Sequence, residues 1–439
     1  MTTLANLPQI LKKLGIESLN EMQEKTIEAF GKNAEVVLLS PTGTGKTLAF
    51  VLPLLEYLDP NVVATQALIL TPSRELAIQI EQVIRDMGTG FKTNAIYGGR
   101  SQHKDRMDLN HAPTILIGTP GRIADHIRRE NIDTSAIQTL ILDEFDKSLE
   151  VGFEKEMKEI VSSIPNLKKK VLTSATQKVD IPDFVGISNA TRLNYTGKSR
   201  SKLEMRKVTA VDKLTTLADL LYHIGKKNGI IFCNFKESIS LVSEALEEHG
   251  IDHACFYGGM EQLDREQSLI KFRNGTERIL LATDLAARGL DVPEMDFIVH
   301  YELPFHEEEF IHRNGRTARM KSSGTAYIIQ REGKPLPPYM YRLEEEILEP
   351  KKINLRSDWE TLYITGGRKD KISKGDIAGL FFKTGGLEKG ELGVIELKSD
   401  CAYVSVARSK ARRLVDQLNN SRLKTKKVRI SVLGTSSKY

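Results

Sequence analysis

The chain has 439 residues, 40% of them hydrophobic and 28% charged, with a formal net charge of +5. That length accommodates about two to four domains, each large enough to bury its own core. Three scattered cysteines, Cys233, Cys255 and Cys401, have no metal-ligand spacing and argue against a disulfide scaffold or a zinc module. They fit reduced thiols and a cytoplasmic setting. No apolar run approaches ~20 residues, and residues 1–14 lack a basic stretch followed by an apolar one, so neither a membrane span nor a secretory signal is expected.

The charge is unevenly distributed. Residues 351–439 hold 20 Lys and Arg against 9 Asp and Glu, a net of +11, which leaves −6 for the first 350 residues. A basic tail on a slightly acidic body points to a polyanion partner; a merely well-solvated tail is the alternative.

In chain order, residues 34–39, 67–72, 114–120, 139–144 and 170–176 form short, nearly all-apolar runs, the pattern of strands covered on both faces. Helical patterns at 46–57, 73–87 and 152–163 lie between them, which predicts a doubly wound, mostly parallel α/β lobe. Residues 195–207 are polar and read as a linker or loop edge. The alternation resumes with strands expected at 229–234, 253–258, 278–284, 296–301 and 324–329, and helices at 236–249 and 262–273. A Pro-rich break at 334–338 precedes a charged segment, 340–348, with a helical pattern. The tail reads βαββαβ: strand 361–365, helix 374–384, strands 393–397 and 401–407, helix 408–418 and strand 427–433. That order is ferredoxin-like and RRM-like. The expected domains are 1–196, 207–345 and 358–439.

The first strand runs into Ser40-Pro41-Thr42-Gly43-Thr44-Gly45-Lys46-Thr47, which opens a helix. This is Walker A spacing, with Ser40 where a glycine often stands. Glycines let backbone N–H groups wrap a phosphate, Lys46 reaches the β and γ phosphates, and the Thr47 hydroxyl suits Mg2+. ATP and Mg2+ are therefore the expected cofactors. Asp143 and Glu144 end a neighbouring strand, where ligands of such sheets bind. Asp143 would hold the metal and Glu144 would orient and deprotonate the attacking water; capping of the next helix is the bland alternative. The second lobe has no Walker A. It offers Arg316 and Arg319, three apart, either surface charge or guanidiniums for a γ phosphate.

These residues resemble the DEAD-box RNA helicases over roughly residues 5–330. The likeness rests on Gln23, the 40–47 loop, Pro72-Ser73-Arg74-Glu75-Leu76, Gly98-Gly99, Thr119-Pro120-Gly121-Arg122, Asp143-Glu144-Phe145-Asp146, Ser174-Ala175-Thr176, Ile231-Phe232-Cys233-Asn234, Thr283 to Asp291 and His312 to Arg319, in the family's order. The resemblance implies two tandem RecA-like lobes and RNA-stimulated ATP hydrolysis with local duplex unwinding. It implies that Gln23 reads adenine, that Asp291 contacts the ribose, and that Ser174 and Thr176 couple hydrolysis to closure. It further implies an RNA track of Pro72, Arg74, Gly99, Thr119, Arg122, Gln262, Arg265 and Thr283, contacting phosphates and 2′-hydroxyls. The sequence departs from the family pattern at Phe145, where alanine is usual, at Ile16, Leu19 and Asn20 near Gln23, and at Asn314 and Ala318.

From about residue 360 the tail resembles the RRM-like domain of bacterial DbpA-type helicases, which implies docking on large-subunit ribosomal RNA and a role in ribosome assembly. Tyr363 and Tyr403 lie on the strands where RRM aromatics stack bases, or else they pack. Arg408, Lys410, Arg412, Arg413, Lys424, Lys426 and Lys427 are candidate phosphate contacts. An ATP-gated RNA clamp with feeble turnover and a DNA-directed motor are the competing readings. Nothing in the sequence demands dimerisation, and a monomer is expected.

Overall fold

The structure is a computed structural model that describes residues 6–41, 43–176, 180–196, 202–284, 295–317, 323–340, 343–351 and 353–434. The chain divides into two compact units, one built mainly from residues 1–201 and the other mainly from 202–439.

The first unit holds a seven-stranded sheet. Its strands are β1 (Glu35–Leu39), β2 (Ala67–Leu70), β3 (Thr93–Ile96), β4 (Ile115–Gly118), β5 (Thr139–Leu142), β6 (Lys169–Ser174) and β7 (Thr191–Asn194), in the order β3-β4-β2-β5-β6-β1-β7. Every pairing is parallel. The central strands are buried on both faces because helices cover both, one core including Val36, Ile69 and Ile141 and the other Val37, Leu68 and Leu140. This is why those strands read as unbroken apolar runs. The strands β3 and β7 were not visible in the sequence. They are edge strands, and Asn94, Arg192 and Asn194 break their apolar pattern.

The second unit begins with another all-parallel sheet: β8 (Lys202–Ala210), β9 (Gly229–Phe232), β10 (Ala254–Phe256), β11 (Ile279–Ala282), β12 (Phe297–His300), β13 (Ser323–Arg331) and β14 (Glu344–Glu345), in the order β10-β11-β9-β12-β13-β8-β14. Two sequence expectations are corrected here. Residues 202–207, read as linker, form most of β8. The charged segment 340–348, read as helical, instead supplies the short edge strand β14. The reason is shared: Arg206 pairs with Glu344 at 2.5 Å and Lys207 with Glu345 at 2.7 Å, so the polar residues of each segment satisfy the other's across neighbouring strands.

The tail has the expected βαββαβ order. Strands β15 (Trp359–Ile364), β16 (Leu392–Leu397), β17 (Ala402–Ala407) and β20 (Ile430–Val432) form an antiparallel sheet, β16-β17-β15-β20, beside a small hairpin of β18 (Arg422–Leu423) and β19 (Lys426–Lys427). Ser373 caps the helix Lys374–Gly379 through a reciprocal bond with Asp376, and that helix continues as a single wide turn, Leu380–Thr384. One sheet face, with Leu362, Ile364, Val404 and Val406, packs on the tail's two helices through Ile377 and Leu414. The opposite face carries Thr361, Tyr363, Tyr403 and Ser405, set opposite one another by the register of β15 and β17.

That opposite face is covered. Tyr403 packs with Ile270 and Leu433, with Tyr363 at the edge of the cluster, and it is only 3% exposed. The Thr361 and Thr276 hydroxyls lie 2.7 Å apart, Ser405 donates to the Asn274 carbonyl at 2.9 Å, and Arg273 grips Glu396 with two bonds of 3.0 Å. Ile270 and Arg273 belong to the helix Gln262–Arg273 of the second RecA-like lobe. The base-stacking expectation for Tyr403 is therefore corrected: in this arrangement its ring fills a lobe–tail interface and has no free face for a base. Tyr363 stands 5.5 Å from it, ring to ring, in the same cluster.

Candidate nucleotide and RNA sites

The loop after β1 is shaped by its glycines. Gly43 and Gly45 hold φ of 79° and 87°, the left-handed region that only glycine enters freely. Gly45 is fixed by space as well, since a Cβ there would lie 2.4 Å from Gln23 Nε2. Lys46, the first residue of the helix Lys46–Leu54, folds back so that Nζ donates to the Ser40 carbonyl at 2.8 Å. Thr42 lies outside the described residues. Asn20 and Gln23 explain the altered segment before the loop. Asn20 caps the helix Glu21–Lys32 in a reciprocal box with Gln23, and its side-chain amide donates to the Thr44 carbonyl at 3.1 Å. Gln23 Nε2 donates to the Gly45 carbonyl at 3.2 Å. Both amides thus brace the phosphate loop from behind.

Asp143 and Glu144 follow β5. Asp143 is buried, and burial pushes its carboxyl above the ordinary range, opposed chiefly by the Lys46 charge. Thr173, in β6, ties the pair together: its hydroxyl donates to the Asp143 carboxylate and its oxygen accepts from the Glu144 N–H at 3.2 Å. Glu144 itself has φ 47° and ψ 51°, a strained conformation for a residue with a side chain and one found at functional sites. Thr173 was missed in the sequence because it reads as one more strand residue before Ser174.

Phe145 is completely buried in the core beneath the sheet, with Leu142, Leu172 and Ile160 in the same cluster. Asp146 keeps its link to the next motif, accepting from Thr176 Oγ1 at 3.2 Å, while Ser174 Oγ accepts from the Thr176 N–H at 3.0 Å.

The first unit also gathers Pro72, Arg74, Gly99, Thr119 and Arg122 at the carboxyl ends of β2, β3 and β4. Gly99 has φ 84°, and a Cβ on it would sit 2.4 Å from Arg74 Nη1. Thr119 begins the helix Pro120–Arg128, and Arg122 is held by Asp105 through Nε at 2.8 Å and Nη2 at 2.7 Å.

In the second unit Gln262 opens its helix, and Arg265 donates to the Tyr257 carbonyl at 3.1 Å with its guanidinium 4.4 Å from the Phe256 ring centre. Thr283 directly follows β11. Arg313 is fully buried and ties three loops together, reaching Asp284 at 2.7 and 2.5 Å, Asn234 at 2.7 Å and the Glu302 carbonyl at 2.5 Å. Asn314 Oδ1 accepts from His300 Nε2 at 3.1 Å. Arg316 sits in the turn after the helix Glu307–Asn314. Asp291 and Arg319 lie outside the described residues.

Among the tail's basic candidates, Arg412 is exposed on the helix Arg408–Leu418. Arg413 donates to the Gly385 carbonyl at 3.0 Å and Lys426 pairs with Asp370 at 2.9 Å. Arg408 Nε donates to the Trp359 carbonyl at 3.3 Å, and Lys410 and Lys424 pair with Glu391 and Asp376. No helix among the described residues is long and apolar enough to cross a membrane.

Comparison with known proteins matches three family models in succession: DEAD/DEAH box helicase at residues 20–184, helicase conserved C-terminal domain at 212–321, and DbpA RNA binding domain at 361–432. The chain belongs to the DEAD-box ATP-dependent RNA helicases, enzymes whose ATP hydrolysis is stimulated by RNA. Its likeness over nearly its whole length is to the DbpA helicases. It is 31% identical to ATP-dependent RNA helicase DbpA of Escherichia coli and 30% identical to that of Bacillus subtilis, in both cases over 96% of each chain. Among solved structures, Dbp5 of S. cerevisiae bound to RNA and ADP BeF3 is 26% identical with a TM-score of 0.65, covering 74% of this chain and 86% of that one. Mss116p bound to ssRNA and AMP-PNP gives 25% and 0.66, covering 76% and 75%.

Proposed function

We propose that this helicase separates short RNA duplexes while tethered to ribosomal RNA, acting as a cytoplasmic monomer during assembly of the large ribosomal subunit. The observation that carries the catalytic part is the Thr173 bridge, which ties the Asp143 carboxylate to the backbone N–H of Glu144 at the end of β5, with the Lys46 charge acting on Asp143.

The Walker loop, with backbone N–H groups at Gly43, Thr44 and Gly45 and those of Thr42 before them, cradles the phosphates. Lys46 leaves the Ser40 carbonyl to meet the β and γ phosphates. Thr47 and Asp143 offer hard oxygen donors of the kind Mg2+ takes alongside phosphates and water; a buried carboxylate with a raised pKa fits a site that a cation completes. Bound there, Mg2+ supplies charge neutralisation of the phosphates. Glu144 orients the attacking water and takes its proton. Arg316 and Arg319 stabilise the spreading γ-phosphate charge, Gln23 meets the adenine and Asp291 the ribose. Pro72, Arg74, Gly99, Thr119, Arg122, Gln262, Arg265 and Thr283 hold one RNA strand by its backbone. Arg412, Arg413 and Lys426 anchor the tail on ribosomal RNA. Surface ion pairs such as that of Lys426 are worth little and are exchanged for phosphate at small cost.

The working test measures ATP hydrolysis by the full chain with no RNA, with ribosomal RNA and with unrelated RNA of equal length. Ribosomal RNA is expected to stimulate most, and Glu144→Gln to abolish turnover while keeping nucleotide binding. Equal stimulation by both RNAs overturns the ribosomal assignment. An unimpaired Glu144→Gln variant overturns the role given to that carboxylate.

A further inference from the structure

The RNA track of the first lobe contains a carboxylate that no phosphate-binding surface requires for its own sake. Asp105 lies on the helix Gln102–Leu109, its side chain is fully buried, and it faces three basic groups. Arg122 places Nε at 2.8 Å and Nη2 at 2.7 Å from its Oδ2. Arg100 places Nε 3.3 Å from its Oδ1, and His126 Nε2 stands 3.2 Å from Oδ2. Burial works against the charge, but hydrogen bonds from His126 and Arg122 and the charge of Arg100 hold the Asp105 carboxyl below its ordinary range, so it is ionised at neutral pH.

The rest of the cluster is arranged around that charge. The Asn131 amide is 3.1 Å from His126 Nδ1. With an N–H donated there, the other ring nitrogen, Nε2, is the one that donates toward Asp105. Arg122 Nη2 also donates to the Arg100 carbonyl at 3.1 Å, and Arg100 Nη1 donates to the Ala95 carbonyl at 2.8 Å. The loop after β3, which carries Gly98 and Gly99, is thereby bolted to the helix that carries Arg122. Two of the three Arg122 nitrogens are used internally. The third, Nη1, has the Asp125 carboxylate at 3.8 Å, beyond hydrogen-bond distance.

We propose that Asp105 is a positioning residue for RNA binding: it fixes the Arg122 guanidinium by its Nε–Nη2 edge and so presents Nη1 to an RNA phosphate in a single orientation. The inference rests on the reading of Arg122 as part of the RNA track. An arginine held this way loses little side-chain freedom when the phosphate arrives. A lysine could not replace it, because one ammonium cannot serve Asp105, the Arg100 carbonyl and a phosphate from fixed directions.

The test is a set of RNA titrations of ATPase rate on the full chain. Asp105→Asn is expected to raise the RNA concentration for half-maximal stimulation roughly tenfold, about the worth of one charge-assisted hydrogen bond, with a much smaller fall in the rate at saturating RNA. Arg122→Ala is expected to raise it at least as much, and Asp105→Asn added to Arg122→Ala to change it little further. Arg122→Lys, which does not depend on a buried substitution folding, is expected to behave like Arg122→Ala. If Arg122→Ala leaves the half-saturation point in place, the track assignment itself fails. If Arg122→Ala weakens RNA binding but Arg122→Lys restores it, or if Asp105→Asn and Arg122→Ala add in full, Asp105 does not act through Arg122 and the inference is overturned.

Discussion

Thr176 Oγ1 donates to Asp146 Oδ2 across 3.2 Å, although the residue preceding Asp146 is a phenylalanine with no exposed surface. The ring enters one core of the sheet, whereas the helix Lys46–Leu54 that follows the phosphate loop packs in the other. The bulk of Phe145 is thus absorbed in the core opposite the helix that the phosphate loop opens.

Phe145→Ala is therefore expected to damage stability and spare chemistry. Emptying a fully packed phenylalanine site costs about 3–5 kcal/mol. A lowered melting temperature with RNA-stimulated ATP turnover near the parent value is the expected pair of results. A large loss of turnover in folded protein would show that the ring shapes the catalytic carboxylates after all.

Asn314, which departs from the family spelling, has its explanation in His300. The imidazole is completely buried, Nε2 meets Asn314 at 3.1 Å, and Nδ1 has no hydrogen-bond partner. Burial, followed by the Arg313 charge, pushes the His300 pKa down to about 3 from 6.5. Between those values the unfolded chain binds the proton and the folded chain does not, so stability from this group is present above pH 6.5 and is lost as pH falls toward 3. Asn314→Ala leaves the second ring nitrogen unsatisfied as well and is expected to cost about 1–3 kcal/mol. Denaturant melts of Asn314→Ala, His300→Ala and the double variant check this; independent, additive losses would mean that the two side chains are not coupled.

Glu277 lies near the interface of the second lobe and the tail, and its Oε2 has no hydrogen-bond partner. Burial raises its pKa to about 7 from 4.5; Lys271 and Arg408 oppose the rise, and Asp252 and Glu360 add to it. Here the sign is opposite to that of His300. The folded chain keeps a proton that the unfolded chain has released, so the contribution is complete below pH 4.5 and disappears as pH climbs through 7. Glu277→Gln is expected to stabilise the chain above pH 7 by on the order of 2 kcal/mol and to flatten the pH dependence of melting between pH 5 and 8. An unchanged pH profile would place that carboxyl in water.

The two RecA-like sheets were legible because strands covered on both faces must be apolar throughout, and residues such as Val36-Val37-Leu38-Leu39 say so without help from their neighbours. The phosphate loop was legible for a different reason: Gly43 and Gly45 need a backbone that other residues resist, so the chemistry is written in consecutive positions. What was hidden depends on pairings between distant segments. The polar residues 202–207 become a strand by pairing with β13 along their length, with Glu344 and Glu345 meeting Arg206 and Lys207 on the other edge. Asp105 and Arg122 are 17 positions apart, on different helices, and nothing local distinguishes Asp105 from a solvated helix carboxylate. The tyrosines Tyr363 and Tyr403 were placed on strands, and they lie on β15 and β17, directly opposite one another. That the face would be occupied could not be read without the partner helix Gln262–Arg273.

That helix carries the last prediction. Its first turn holds Gln262 and Arg265, assigned above to the RNA track, while its last turns hold Ile270 and Arg273, which engage the tail at Tyr403 and Glu396. Tyr403→Phe keeps the ring packing and loses only the hydroxyl's bond with Cys401, so it is expected to lower the melting temperature slightly and to leave RNA binding unchanged, because the ring is buried against Ile270 and Leu433. Tyr403→Ala removes a ring from a closed interface, at a cost of about 3–5 kcal/mol, and is expected to make the tail separable from the lobe by limited proteolysis. Arg273→Ala strips Glu396 of a bidentate partner and is expected to act in the same direction with smaller effect. Proteolysis time courses of the three variants, followed with and without RNA, check the order. A Tyr403→Phe variant that binds RNA normally while Tyr403→Ala also leaves the tail protected would mean that this face is not what joins tail to lobe; weakened RNA binding in Tyr403→Phe would return the ring to the RNA.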